Sequence, residues 1–372
     1  VTTISHPPKA HGARAGGASL DVLRFLAAGF ILLFHFGESA PRSLRDMSPL
    51  FAQGWLATDF FLLLSGFILM RAYGPRLAAG RVKAPHFVIR RIMRLWPSHV
   101  VVLLLMLALV GVATLAGHPP GSAEKYGAFD FWAQLFLVHN WGLSAEPSWN
   151  VPTWTLSALL ICYGLFSLYA GAVCGWSRGR LQIALLVVLA VAEGAAALIG
   201  HPFVDLPFRW GLVRAIPLFV AGSLLERLIQ GVSVSPRAYF AGLAAALAGV
   251  AGLALLPRVA GVDLLILAGL AAVLGLSASV VLPETGLTKR MGRAAYALFL
   301  THSLIGALAL GFDTLLMRRF NLPEPVHWLY WLATLAGAVL FAFVFEALID
   351  RPLSERVTRW LNRLDDTRRA SI

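Results

Sequence analysis

Arg24 and His35 stand eleven residues apart in an otherwise apolar stretch, Asp21-Val-Leu-Arg24-Phe-Leu-Ala-Ala-Gly-Phe-Ile-Leu-Leu-Phe-His35. A guanidinium holds anions, and an imidazole with an ordinary pKa of about 6.5 takes and gives protons. On a helix, about 100° and 1.5 Å per residue bring His35 to within roughly 20° of the Arg24 face and about 16 Å farther along the axis. Glu38, one turn beyond, is within reach of the imidazole. Charge inside a bilayer is costly, so such a helix carries a functional-site hypothesis. The competing reading has Arg24 snorkelling to the headgroups and His35 resting at the far interface, neither doing chemistry.

Three other stretches carry polar groups that apolar segments rarely contain. The densest basic patch runs from Arg71 through Arg76, Arg81, Lys83, Arg90, Arg91 and Arg94 to Pro97. Arg90, Arg91 and Arg94 fall within about one helical turn, and arginine clamps phosphate bidentately; anchoring to anionic lipid would look the same. Before it, Asp59 and the Ser65-Gly66 step lie within one apolar run. Ser65 and Gly66 suit close helix packing, and Asp59 is expected to face Arg24 or His35. Farther on, Trp149, Asn150, Trp154 and Ser157 offer amide, hydroxyl and indole surfaces to a sugar, or an aromatic belt at an interface. His302 and Arg214 are further polar insertions.

These residues must be positioned by membrane helices. The 372-residue chain is 58% hydrophobic and only 13% charged, more apolar surface than a soluble domain of this size can hide. Apolar runs long enough to span recur at 19–37, 52–71, 95–116, 152–174, 181–200, 209–226, 238–256, 262–282, 293–312 and 327–349. Between the third and fourth, residues 126–150 are too irregular to cross. Trp132, Trp141 and Trp149 are expected at an interface there, with His139 and Asn140 turned toward an extracytoplasmic cleft.

The fold expected is an all-α integral membrane protein of about ten spans. Lys and Arg concentrate in alternate connections, which puts both termini in the cytoplasm and accounts for the net charge of +12 without a nucleic-acid partner. Residues 1–18 read as a disordered cytosolic tail, 19–352 as the membrane domain and 353–372 as a basic cytosolic tail. Cys162 and Cys174, twelve residues apart on one expected helix, support neither a disulfide nor a metal site. On these features alone, a carrier or flippase is the rival of an enzyme, with Arg24 and Arg214 binding anionic cargo and His35 relaying protons.

Five segments in this order resemble the membrane acyltransferase family 3. They are Leu20-Asp21-x-Leu-Arg24 with His35, Asp59-Phe-Phe-Leu-Leu-Leu-Ser65-Gly66-Phe67, Phe87-x-x-Arg90-Arg91-x-x-Arg94-x-x-Pro97, Trp149-Asn150-x-Pro152-x-Trp154-Thr155-Leu156-Ser157, and Tyr296-Ala-Leu-Phe-Leu-Thr-His302. The resemblance covers residues 19 to about 352. One departure stands out: many relatives carry Glu two residues after the Ser of the Trp-x-Leu-Ser motif, where this chain has Leu159.

The resemblance implies O-acyl transfer, with acetyl-CoA as cosubstrate and no metal, to a hydroxyl of an extracytoplasmic or lipid-linked glycan in a bacterial cytoplasmic membrane. It assigns His35 as the catalytic histidine and Arg24 as its partner; on the residues themselves, His35 suits a base or acyl carrier and Glu38 is placed to orient its ring. Arg90, Arg91, Arg94 and Arg71 would bind the donor. Asp59, Trp149, Asn150, Trp154, Ser157 and His302 would line the acceptor side.

Overall fold

A computed structural model describes residues 16–370 apart from 121, 258, 259 and 321, leaving aside the side chains of 123, 260, 313–319 and 366–370. The expected tail at 1–18 therefore falls almost wholly outside the described residues. Ten long helices follow in order: α1 (Gly17–Gly37), α2 (Trp55–Ala78), α3 (Ala84–Leu115), α4 (Trp154–Val173), α5 (Arg178–Ile199), α6 (Gly211–Leu228), α7 (Pro236–Ala254), α8 (Ala260–Ser279), α9 (Gly286–Phe320) and α10 (Glu324–Phe345). Through a π turn, Glu346–Asp350, α10 continues into α11 (Arg351–Ala370).

Among the described residues, ten segments are long and apolar enough to cross a membrane. Their outward faces agree with that reading, because Leu104, Val112 and Leu115 of α3, Ile183 and Leu198 of α5, and Leu329 and Leu340 of α10 are all exposed. Such surface belongs in hydrocarbon, and the chain is an integral membrane protein. Local signals set several helix starts. Ser177 caps α5 by accepting from the Arg180 amide, and Ser235 caps α7 just ahead of Pro236.

Three helices run past the apolar windows at one end. Helix α2 continues to Ala78, α3 begins at Ala84, and α9 begins at Gly286. Hydropathy falls where arginines begin, but their long side chains favour the helix, so the basic turns stay helical beyond the hydrocarbon. The basic stretch is thus two helix ends joined by residues 79–83. Residues 126–150 do not cross and include a short helix, Ala128–Leu135.

Helix α2 is the hub, packing against α1, α4, α6 and α8, while α9 lies between α1 and α10. Its crossing with α6 is backbone against backbone. A Cβ on Gly66 would lie 1.8 Å from the Phe219 carbonyl oxygen, and one on Gly222 would lie 1.9 Å from that of Leu63. Ser223 donates within the same contact, at 3.1 Å from the Phe219 carbonyl and 3.2 Å from that of Gly66. Small residues admit such approach, which in lipid replaces the missing hydrophobic drive between helices.

Gly222→Ala is expected to destabilise the detergent-solubilised protein by about 1–3 kcal/mol through overpacking. Gly29→Ala, where nothing lies within 4 Å, should leave stability unchanged. Thermal unfolding followed by tryptophan fluorescence compares the two, and equal melting temperatures would deny the crossing its role.

Candidate active site

A cavity of about 470 Å³ opens among α1, α2, α3, α4 and α9. One end is basic, with Arg24, Arg91, Arg94, Lys289 and Arg293, and carries one acid, Asp21; the other is lined by Thr58, Phe61, Leu156 and Phe299. Arg24 pairs with Asp21 one turn earlier on α1, and its Nε is buried without a partner. Close contact of α1 with α9 needs Gly292, because a Cβ there would meet the Asp21 carboxylate at 2.3 Å. Leu159, standing where relatives carry Glu, supplies apolar wall to this cavity.

Beside the apolar end lie two histidines. The Phe61 and Phe299 rings are 6.1 Å apart, and Phe299 is 6.4 Å from the ring of His302. His302 is fully buried, and its ring centre is 5.1 Å from that of half-buried His35. Nδ1 of His302 lies 3.1 Å from the Leu298 carbonyl, which can only accept, so the neutral ring carries its proton on Nδ1. Nε2 then holds a lone pair that is buried and without a partner. Such an atom costs about 1–3 kcal/mol, which a hydroxyl or the His35 N–H would recover.

The helical geometry expected for α1 holds: Arg24 lines the cavity, and His35 lies eleven residues onward, outside its lining but beside His302. Glu38 is at the exposed end of α1, 2.5 Å from Arg45. Asp59 is fully buried and pairs with Arg214 of α6 at 2.7 Å, which answers the expectation that it would face Arg24 or His35. Arg214 also donates to the Trp55 carbonyl at 3.3 Å.

Among the arginines of the basic stretch, Arg91 and Arg94 line the cavity. Both guanidinium nitrogens of Arg94 reach Asp350, at 3.0 and 3.1 Å, and Ser98 donates to the same carboxylate. Arg90 turns to Asp365 and Asn362. Arg71 lies elsewhere, over the Phe67 ring and 3.4 Å from the Ala278 carbonyl on α8.

In the segment from Ala128 to Ser157, the expectations of an interfacial Trp149 and of a cleft at His139 and Asn140 are corrected. All three are buried. Gln134 organises this layer: its amide donates to the Ser148 carbonyl at 2.5 Å and accepts from the Asn150 amide and Thr153 hydroxyl, both at 3.3 Å. Trp149 donates to the Gly127 carbonyl, and Asn150 donates to Leu300 at 3.0 Å, two residues before His302 on α9. Ser157 accepts from the Asn140 amide, while Trp154 is half-buried at the start of α4. Burial, with neighbouring His99 adding to it, pushes the His139 ring down to about 3, so it is neutral at physiological pH.

Reading the sequence for function passed over Gln134, His99, Asp350, Glu346 and Lys289. For the acids a signal existed, since Glu346 and Asp350 are carboxylates at the end of an apolar run. The π turn directs both inward, Glu346 to Arg293 at 3.4 Å and Asp350 to Arg94.

A cavity with a basic end, set among five of the membrane helices, defines an integral membrane protein with a polar site in its interior. The chain belongs to acyltransferase family 3, whose acyltransferase domain matches residues 18–347. The domain so matched is an acyltransferase domain carried on membrane-spanning helices. A stretch of 89 residues is 39% identical to "Protein 2 in picA locus" of Rhizobium radiobacter, covering 24% of this chain and 43% of that protein. No solved structure matches the chain.

Asp59→Ala is expected to cost about 3–5 kcal/mol by stranding Arg214 in the interior. Asp59→Ala combined with Arg214→Leu should recover most of that loss in a thermal melt. A double variant no more stable than Asp59→Ala would mean the pair is not what holds α2 against α6.

Proposed function

We propose that this acyltransferase moves an acetyl group from cytosolic acetyl-CoA to a hydroxyl of an extracytoplasmic or lipid-linked glycan, such as a surface polysaccharide, in a bacterial cytoplasmic membrane. Both termini and the basic helix ends then face the cytoplasm, following the distribution of Lys and Arg. The membrane domain occupies residues 19–352, between cytosolic tails.

One observation carries this reading. A cavity basic at one end is lined at the other by the Phe61 and Phe299 rings, and His302, paired ring to ring with His35, lies beside Phe299. The basic mouth suits the phosphates of CoA, and the apolar interior suits a thin pantetheine arm. Arg24 offsets charge at the donor end. His35 takes the proton of the acceptor hydroxyl as its oxygen attacks the acyl carbon; the C–S bond breaks, and CoA leaves as the thiol after receiving that proton. In the two-step version, a His35 nitrogen first carries the acyl group. His302, with an unpartnered Nε2 lone pair and its ring centre 5.1 Å from that of His35, is placed to accept a proton from the His35 ring or the acceptor hydroxyl during the reaction.

The test is acetyl transfer by the purified protein in liposomes, with labelled acetyl-CoA and extracted lipid-linked glycan. His35→Ala is expected to lower turnover at least about 100-fold, the usual yield of a positioned acid–base group. Wild-type turnover in that variant would remove the assignment. Acid-quenched label retained on His35 would select the two-step route. Mass spectrometry of surface polysaccharide from cells lacking the gene should show a lost acetyl increment.

A further inference from the structure

A second cavity of about 310 Å³ adjoins the first, between α3 and α11, and shares Arg91 and Arg94 with it. Tyr73, Arg90, Ser354 and Thr358 complete its polar lining. Ser354 and Thr358 lie beyond residue 347, where the match to the family domain ends.

Charge around this second cavity is unevenly matched. Arg90 is held by Asp365 at 2.9 Å and Arg94 by Asp350 at 3.0 Å. Arg91, at the junction of the two cavities, has no carboxylate within ion-pair distance among the described residues. Its guanidinium lies 4.5 Å above the Tyr73 ring and donates to the Tyr73 hydroxyl, and its Nε is buried with no partner. A charged donor removed from water without an acceptor is the costliest kind of unmade hydrogen bond. An anion at the junction would complete it.

The lining also specifies what accompanies that anion. The Thr358 hydroxyl already donates to the Ser354 carbonyl at 2.8 Å, so toward the cavity it offers lone pairs. It therefore suits the N–H and O–H donors of a base and sugar better than phosphate oxygens. Tyr73 adds an aromatic edge beside the guanidinium.

We propose that the smaller cavity is the nucleotide half of the donor site, with α11 as its outer wall. This rests on the acyl-CoA reading above. The diphosphate lies at Arg91, the phosphoadenosine lies in the smaller cavity against Tyr73, Ser354 and Thr358, and the pantetheine arm follows the larger cavity toward Phe61 and Phe299. An anionic lipid headgroup offers the same phosphate chemistry to Arg91, and the test separates the two.

The experiment uses the full-length protein in liposomes and two donors, acetyl-CoA and S-acetylpantetheine, which lacks the nucleotide. Thr358→Trp, at an exposed position on α11, fills the cavity. It is expected to raise KM for acetyl-CoA about tenfold, the equivalent of losing roughly 1.4 kcal/mol of binding, while S-acetylpantetheine kinetics stay at wild-type values. Adenosine 3′,5′-bisphosphate should compete with acetyl-CoA in the wild type and lose potency in the variant.

An unchanged acetyl-CoA KM in Thr358→Trp would overturn the proposal, as would equal loss with both donors when the milder Ser354→Ala, Thr358→Ala double variant also leaves the acetyl-CoA KM unchanged. Wild-type activity that requires phosphatidylglycerol over phosphatidylcholine, with no effect of the bisphosphate, would assign the junction to lipid and overturn it too. A wild type that uses neither thioester instead sinks the acetyl-donor reading itself.

Discussion

The crossing of α2 with α6 is the constraint on which the rest of the bundle depends. Gly66 and Gly222 each bring the opposing carbonyl to where a side chain would start, and Asp59 with Arg214 closes the same interface nearer the start of α2. Within hydrocarbon no water compensates a slipped backbone or a separated ion pair, so rotation and depth of α2 are fixed together. The opposite face of α2 provides Thr58, Phe61 and Ser65 to the cavity. The inner wall of the candidate site is therefore positioned by a contact that does not touch it.

Ion pairing follows one pattern through the interior. Asp21 answers Arg24, Asp59 answers Arg214, Asp350 answers Arg94, and Glu346 answers Arg293 and Arg351. In the Asp59–Arg214 pair both ions have lost their hydration, so the pair adds little net stability but an unpaired member is severely destabilising. In the others the arginine stays partly exposed. Their main effect is to specify which helix faces meet. The π turn at Glu346–Asp350 contributes two of these carboxylates, and the extra residue in the turn lets α10 and α11 stay one continuous element while both acids point inward.

Much of this was legible in the amino-acid sequence because a bilayer imposes a coarse rule. All ten spans follow from apolar run length, and the alignment of Arg24 with His35 follows from helical periodicity. What could not be read is which polar groups meet. Asp59 and Arg214 are 155 residues apart and Arg94 and Asp350 are 256 apart, and nothing local fixes the rotation of one helix about its axis relative to another. Trp149 was misjudged for a related reason: tryptophan suits an interface by residue type, but here its N–H finds a carbonyl inside the fold. Helix ends were misjudged because hydropathy marks where hydrocarbon stops, and the basic turns of α2, α3 and α9 remain helical beyond that depth.

The ring pair of Phe61 and Phe299 has an electrical consequence. A living membrane sustains a voltage, and a water-filled passage between its two faces would dissipate the ion gradients that voltage represents. Two aromatic rings 6.1 Å apart line the cavity at the end nearer the histidines, where apolar faces disfavour hydrated ions. A neutral acyl group on a slender arm can be handed past such faces, whereas hydrated ions would have to shed their water. On the acyl-transfer proposal, a protein built this way would conduct a chemical group while insulating against current.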